Sequence, residues 1–158
     1  MSIEKVRAFF RARGIEERVR EFTVSSATVE LAAAALGCAP ERIAKTLSFG
    51  LDGRIILVVA AGDAKVANGK FKECFGGKAK MLAYEEVESA VGHAVGGVCP
   101  FAVNRGVEVY LDSSLRRFET VFPAGGSANS AIELTLTELE EFSGAIRWVD
   151  VCKLPEEA

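Results

Sequence analysis

The chain has 158 residues, 49 % of them apolar and 26 % charged, which suits a globular protein and excludes a disordered or fibrous one. A chain of this length buries about 70 % of its unfolded surface without disulfide or metal staples. The formal net charge of −3 excludes a generally basic nucleic-acid coat, so any RNA contact must come from a local patch. The longest strongly apolar run, 55–61, is far below the roughly 20 residues that cross a bilayer. The N-terminus is charged every few residues and lacks the apolar segment of a signal peptide, making the cytoplasm the expected location, with no membrane partner. Cys38, Cys74, Cys99 and Cys152 are widely spaced and His93 is the single histidine, so no metal site or redox pair is expected.

In chain order, Ile3, Val6, Phe9 and Phe10 form one stripe of an amphipathic helix over 3–13, stopped by Gly14. Alternation over 19–24 predicts a strand, and Thr28 caps a helix that runs to Leu36 before Gly37. Pro40 opens a short helix over 41–44. Strands 46–49 and 54–60 flank Asp52-Gly53, a hairpin signal, and the second strand is apolar on both faces, as a covered central strand is. Helices are predicted over 68–75 and 85–91, strands over 80–82, 107–111, 120–122 and 132–134, and a helix whose capping box is Thr137-x-x-Glu140. A strand over 146–151 closes the chain. With no linker or repeat, these elements predict one α/β domain over 1–158: a mixed, strongly twisted, barrel-like sheet surrounded by helices.

Four features carry potential chemistry. Gly96 and Gly97, in the loop 92–101 that exits through Pro100, let backbone N–H groups approach a carbonyl or oxyanion; the plainer alternative is a turn between helix and strand. The loop 124–130 holds Gly125, Gly126 and Ser127 but matches neither a P-loop nor a nucleophile elbow. Lys45, at an element boundary, either delivers a point charge or snorkels. Lys65, Lys70, Lys72, Lys78 and Lys80 against Glu73 give 64–80 a local charge of +4, leaving −7 for the rest; this is either a polyanion-steering face or a solvated one. Cys99 and His93, six residues apart, are a conceivable nucleophile and base, without an identifiable orienting group.

The order of these features carries a resemblance. Pro-Glu-Arg-Ile-Ala-Lys-Thr-Leu (40–47) precedes the apolar strand 54–61, then come Gly-Gly-Val-Cys-Pro-Phe (96–101), Val-Tyr-Leu-Asp (109–112), Ala-Gly-Gly (124–126) and Ile-Glu-Leu (132–134). Over roughly residues 20–152 the chain resembles the YbaK/ProX family of aminoacyl-tRNA deacylases, related to the editing domain of bacterial prolyl-tRNA synthetases. The resemblance implies a curled α/β domain that hydrolyses the ester of a mischarged aminoacyl-tRNA in trans, with no cofactor, metal or protein nucleophile. It assigns Lys45 to the terminal adenosine region and the Gly96–Pro100 loop to the aminoacyl carbonyl. Lys45, Gly96 and Gly97 are thus the expected catalytic groups. Phe22, Ser25, Thr28, Thr46, His93, Val98, Cys99, Pro100, Gly125, Gly126 and Ser127 are the expected substrate contacts, and the five lysines of 64–80 are the expected tRNA contacts. The implied partners are a mischarged tRNA and, secondarily, an aminoacyl-tRNA synthetase; a monomer and a weak homodimer are equally compatible.

Relatives that remove cysteine from proline tRNA carry a Tyr near Phe22, a Ser near Ala124 and an Asp near Ala131, and often a Tyr where His93 stands. The first three polar groups are missing here, so the resemblance transfers the scaffold and not the amino acid; a small amino acid on proline tRNA is one substrate of this kind. Ser25, Ser26, Thr28, Ser127 and Ser130 are candidates for an alternative pocket lining. A non-catalytic module holding a tRNA end and a Cys99–His93 hydrolase are the competing readings. The deacylase reading requires Lys45 and the 96–100 backbone to converge on one cleft, of roughly 300 Å³ or more for a small ligand end.

Overall fold

A computed structural model of the chain describes residues 2–155. Its centre is a six-stranded sheet, curled into a half-barrel, with β2 (Ile43–Leu51), β3 (Arg54–Ala61), β5 (Glu108–Asp112), β6 (Thr120–Pro123), β8 (Leu134–Thr135) and β9 (Arg147–Val149) in the order β8-β6-β2-β3-β5-β9. Short β1 (Arg20–Glu21) pairs with β7 (Ser130–Ala131), and β4 (Lys65–Val66) with β10 (Cys152–Lys153), outside that sheet. Five helices surround it: α1 (Ser2–Arg11), α2 (Val29–Leu36), α3 (Asn68–Phe75), α4 (Tyr84–Val91) and α5 (Leu136–Ser143). The sheet is mixed: β2–β3 and β6–β8 are antiparallel, whereas β2–β6, β3–β5 and β5–β9 are parallel.

The Asp52-Gly53 turn forms as its composition dictates. Both residues take positive φ, 50° and 80°, and set the register Leu51↔Arg54 through Ala44↔Ala61. Residues 56–61 of β3 are fully buried, since helices cover one face and the curl of the sheet the other. The main core joins β3 to Val6 and Phe10 of α1, Phe71 of α3, Val87 and Val91 of α4 and Leu139 of α5. Phe10 and Phe101 meet edge to face at 5.0 Å, docking α1 onto the loop that follows α4.

Several boundaries differ from the expectation. Pro40 starts only a 3₁₀ turn, Pro40–Arg42, and Ile43 already belongs to β2, because the sheet claims its apolar side chain. The strand expected over 19–24 shrinks to two residues, and that over 80–82 to a single bridge between Met81 and Phe49. Residues 132–134 divide between a loop and β8, while the terminal strand breaks after Val149 so that Cys152 can pair with Val66. The capping box is Thr135 with Glu138, not Thr137 with Glu140. Thr135 Oγ1 accepts from Glu138 N at 3.1 Å, and Glu138 Oε1 accepts from Thr135 N at 2.9 Å. Thr28 caps α2 as expected, accepting from Leu31 N at 3.2 Å.

Candidate active site

One cavity of about 390 Å³ opens where β2, the starts of α2 and α4, and two glycine loops converge. β2 contributes Ile43, Ala44, Lys45, Thr46 and Ser48; the α2 entrance contributes Ser26, Ala27 and Thr28. Met81, Leu82, Tyr84 and Val87 line the α4 side, Val95, Gly96 and Val98 the first glycine loop, and Ala124, Ser130 and Ala131 the second. Lys45 and Gly96 therefore share one cavity.

The walls are stitched by backbone. Phe22 N donates to Asn129 O at 2.7 Å and Ser26 N to Ala128 O at 2.6 Å, tying the segment before α2 to the second glycine loop. Ser130 Oγ lies 2.7 Å from Ser127 Oγ, and Gly125 N donates to Ser130 O at 3.1 Å, closing that loop on itself. Gly96 adopts φ 95°, a region that favours glycine, and sits where an added Cβ would touch both Ala27 and Ala128 at 3.4 Å.

Lys45 Nζ donates to Gly62 O at 3.3 Å and to Ala64 O, in the turn after β3. Burial pushes its pKa below the ordinary lysine value, because a cation withdrawn from water is disfavoured. Ser26 Oγ and Thr46 Oγ1, both on cavity-lining residues, are buried without a hydrogen-bond partner among the described residues. An unmet buried hydroxyl costs about 1–3 kcal/mol, which a polar ligand group would recover.

The other expected residues divide by position. Thr28, Thr46 and Val98 line the cavity, whereas Phe22, Ser25, Gly97, Pro100, Gly125, Gly126 and Ser127 stand behind or beside it. Gly97 N–H, expected to face a carbonyl, donates instead to Ala94 O at 3.0 Å, closing the turn; Gly96 is the loop glycine on the cavity wall. His93 and Cys99 are fully buried, and neither reaches the cavity. His93 Nε2 donates to Phe101 O at 2.6 Å, a bond that pins the two ends of the 93–101 loop, and burial lowers its pKa. The Cys99 thiol, 3.5 Å from that nitrogen, is pushed up to about 12 by burial, the opposite of an activated nucleophile. Lys65, Lys72, Lys78 and Lys80 are exposed; Lys70 is half-buried, bonded to Asp150 Oδ1 and Cys152 O, each at 3.1 Å.

Ala124 and Ala131 both lie on the cavity wall. The exposed apolar rim formed by Met81, Tyr84 and Val95 was invisible to sequence reading. Tyr84 opens a helix with ordinary amphipathic spacing, and only its 74 % exposure at a cavity mouth sets it apart. No helix among the described residues is long and apolar enough to cross a membrane, and no three metal-ligating side chains cluster there.

A profile described as the aminoacyl-tRNA editing domain matches residues 23–142. YwhH of Bacillus subtilis, an uncharacterized protein, is 56 % identical over 97 % of this chain and 98 % of its own length. The proline–tRNA ligase of Bacillus cytotoxicus is 32 % identical over 94 residues, 59 % of this chain; the match spans only 17 % of the ligase. A solved structure described as a candidate trans-editing enzyme for prolyl-tRNA synthetase superposes with a TM-score of 0.86 at 30 % identity, covering 96 % of this chain and 97 % of that one. The hypothetical protein APE2540 superposes with a TM-score of 0.83 at 32 % identity, covering 94 % and 99 %.

Proposed function

The chain belongs to the aminoacyl-tRNA editing domain family, and on that premise we propose that it is a freestanding deacylase of a mischarged aminoacyl-tRNA, with a small amino acid on proline tRNA as the leading substrate. The observation that carries this reading is the shared cavity of Lys45 and Gly96. An aminoacyl ester is already an activated acyl group. A cation beside its carbonyl stabilises the oxyanion as water adds to the carbon. The ester C–O bond then breaks, the ribose oxygen takes up a proton, and free amino acid and tRNA depart. Holding ester and water together supplies the remaining advantage, and the scheme assigns no covalent role to the buried Cys99.

Exposed Lys65, Lys72, Lys78 and Lys80 are the proposed contacts for acceptor-stem phosphates. Lys80 directly precedes the rim residues Met81 and Leu82. Purified protein should release amino acid from at least one member of a panel of mischarged tRNAs. Lys45→Ala should slow that release at least about tenfold, about 1.4 kcal/mol of transition-state stabilisation. No release above buffer across the panel would defeat the proposal.

The two alanines on the cavity wall favour one second reading, a module that holds the aminoacylated tRNA end without turnover. Salt-sensitive binding of aminoacyl-tRNA with no turnover would select it.

A further inference from the structure

The Lys45 ammonium is held by a turn that is itself held by an ion pair. Gly62 O and Ala64 O accept from Lys45 Nζ, and Asp63 lies between them. The Asp63 carboxylate receives a bidentate fork from Arg117, with Nη2 to Oδ1 at 2.6 Å and Nη1 to Oδ2 at 3.1 Å. Arg117 Nε also donates to Ser114 O at 3.0 Å, and Ser114 Oγ accepts from Ala61 N at 3.1 Å. Asp112, almost fully buried, anchors this assembly by accepting from Ser114 N and Val151 N, each at 2.9 Å. On its other side the turn presses on the segment before β2: a Cβ on Gly62 would lie 2.1 Å from Pro40 O.

We propose that the Asp63–Arg117 pair positions the Lys45 ammonium in the cavity by fixing the 62–64 turn whose carbonyls grip it. A lysine side chain is a flexible stem carrying about 2 kcal/mol of rotamer entropy, and a catalytic cation must not wander. Of its three donors, two are engaged by the turn, which leaves one for a ligand. Burial disfavours the Lys45 cation and Lys65 opposes it, whereas Asp63 and Glu30 favour it; the neighbouring Cys152 thiol, pushed up to about 12 by burial, is uncharged at pH 7. Asp63 thus both braces the turn and supports the charge it presents. Asp63 and Arg117 are positioning residues here, and their role in turnover rests on the deacylase reading.

The test combines a double-mutant cycle with a measurement that needs no substrate. Arg117→Ala, in the full-length protein, should lower kcat for deacylation about fivefold with KM within twofold, and Arg117→Lys should recover part of the loss. In a Lys45→Ala background, Arg117→Ala should have no further effect; an equal loss in both backgrounds would overturn the proposal. In protein labelled with ¹³C-lysine, the Lys45 Cε resonance, assigned by its disappearance in Lys45→Ala, should titrate at lower pH in Asp63→Asn by about half a pH unit or more. An unchanged midpoint in the folded variant would overturn the positioning role. A wild-type protein inactive on every mischarged tRNA would defeat the deacylase reading and leave the titration to decide this one.

Discussion

Gly97 meets Ser127 backbone to backbone: a Cβ on Gly97 would lie 2.6 Å from both the amide nitrogen and the Cα of Ser127. The two glycine loops that wall the cavity are therefore interlocked, and a methyl group at Gly97 forces them apart. Gly97→Ala should destabilise the protein by about 1–3 kcal/mol and reduce deacylation at least about tenfold. Gly69→Ala, in α3 with nothing within 4 Å of the added atom, serves as the control that keeps activity and does not destabilise, since alanine is the better helix former. Thermal unfolding and steady-state kinetics of the two variants check the contrast.

Cys99 should prove dispensable for chemistry. Its thiol is fully buried, held near 12 by the surrounding apolar atoms, and faces a histidine whose Nε2 proton is committed to Phe101 O. Cys99→Ala should keep deacylation within about twofold of wild type. A folded Cys99→Ala protein without activity would restore the nucleophile reading.

The rim predicts a binding effect separable from catalysis. Tyr84 is 74 % exposed and Met81 57 % at the cavity mouth, where an unpaired base at the end of a nucleic acid can stack. Tyr84→Ala should raise KM for aminoacyl-tRNA about fivefold or more, in line with about 1–3 kcal/mol per stacked base, and leave kcat within twofold. A fall in kcat at unchanged KM would contradict that role.

Away from the cavity, Arg54 grips Glu108 with two bonds of 2.7 and 2.9 Å, and Tyr110 Oη donates to the same carboxylate at 2.6 Å. Arg54 first, then Tyr110, hold Glu108 down to about 2. A carboxyl depressed in the folded state stabilises above its unfolded pKa, near 4.3, and that stability is lost as pH falls towards 2. Glu108→Gln should therefore cost about 1 kcal/mol at pH 7, solvent exposure discounting the full shift. Urea unfolding at pH 7, 4 and 2.5 should show the gap between variant and wild type closing.

Local chemistry made much of this architecture legible. Asp52-Gly53 names its turn, Thr28 and Gly37 bracket α2, and the unbroken apolar run of β3 demands cover on both faces. What stayed hidden depends on distant partners. Residues 19–24 alternate like a strand, yet only Arg20 and Glu21 find a partner, in β7 more than a hundred residues away. Thr135 and Thr137 each precede a glutamate by three, so the sequence offers two capping boxes, and only where β8 ends decides which one caps. Lys45 and Gly96 could be picked out from residue order, but the engagement of Gly97 N–H within its own turn and the burial of His93 and Cys99 follow from packing. Asp63 and Arg117 carry no motif, since 54 residues separate them.

Lys45 stands opposite Ala60 in the β2–β3 ladder, beside strands that contain no solvent-accessible apolar residue from 56 to 61. Backbone in so closed a ladder opens only with the whole molecule. The charge is thus mounted on the part of the protein that comes undone last, so the strand that carries the cation holds its place for as long as the molecule stays folded.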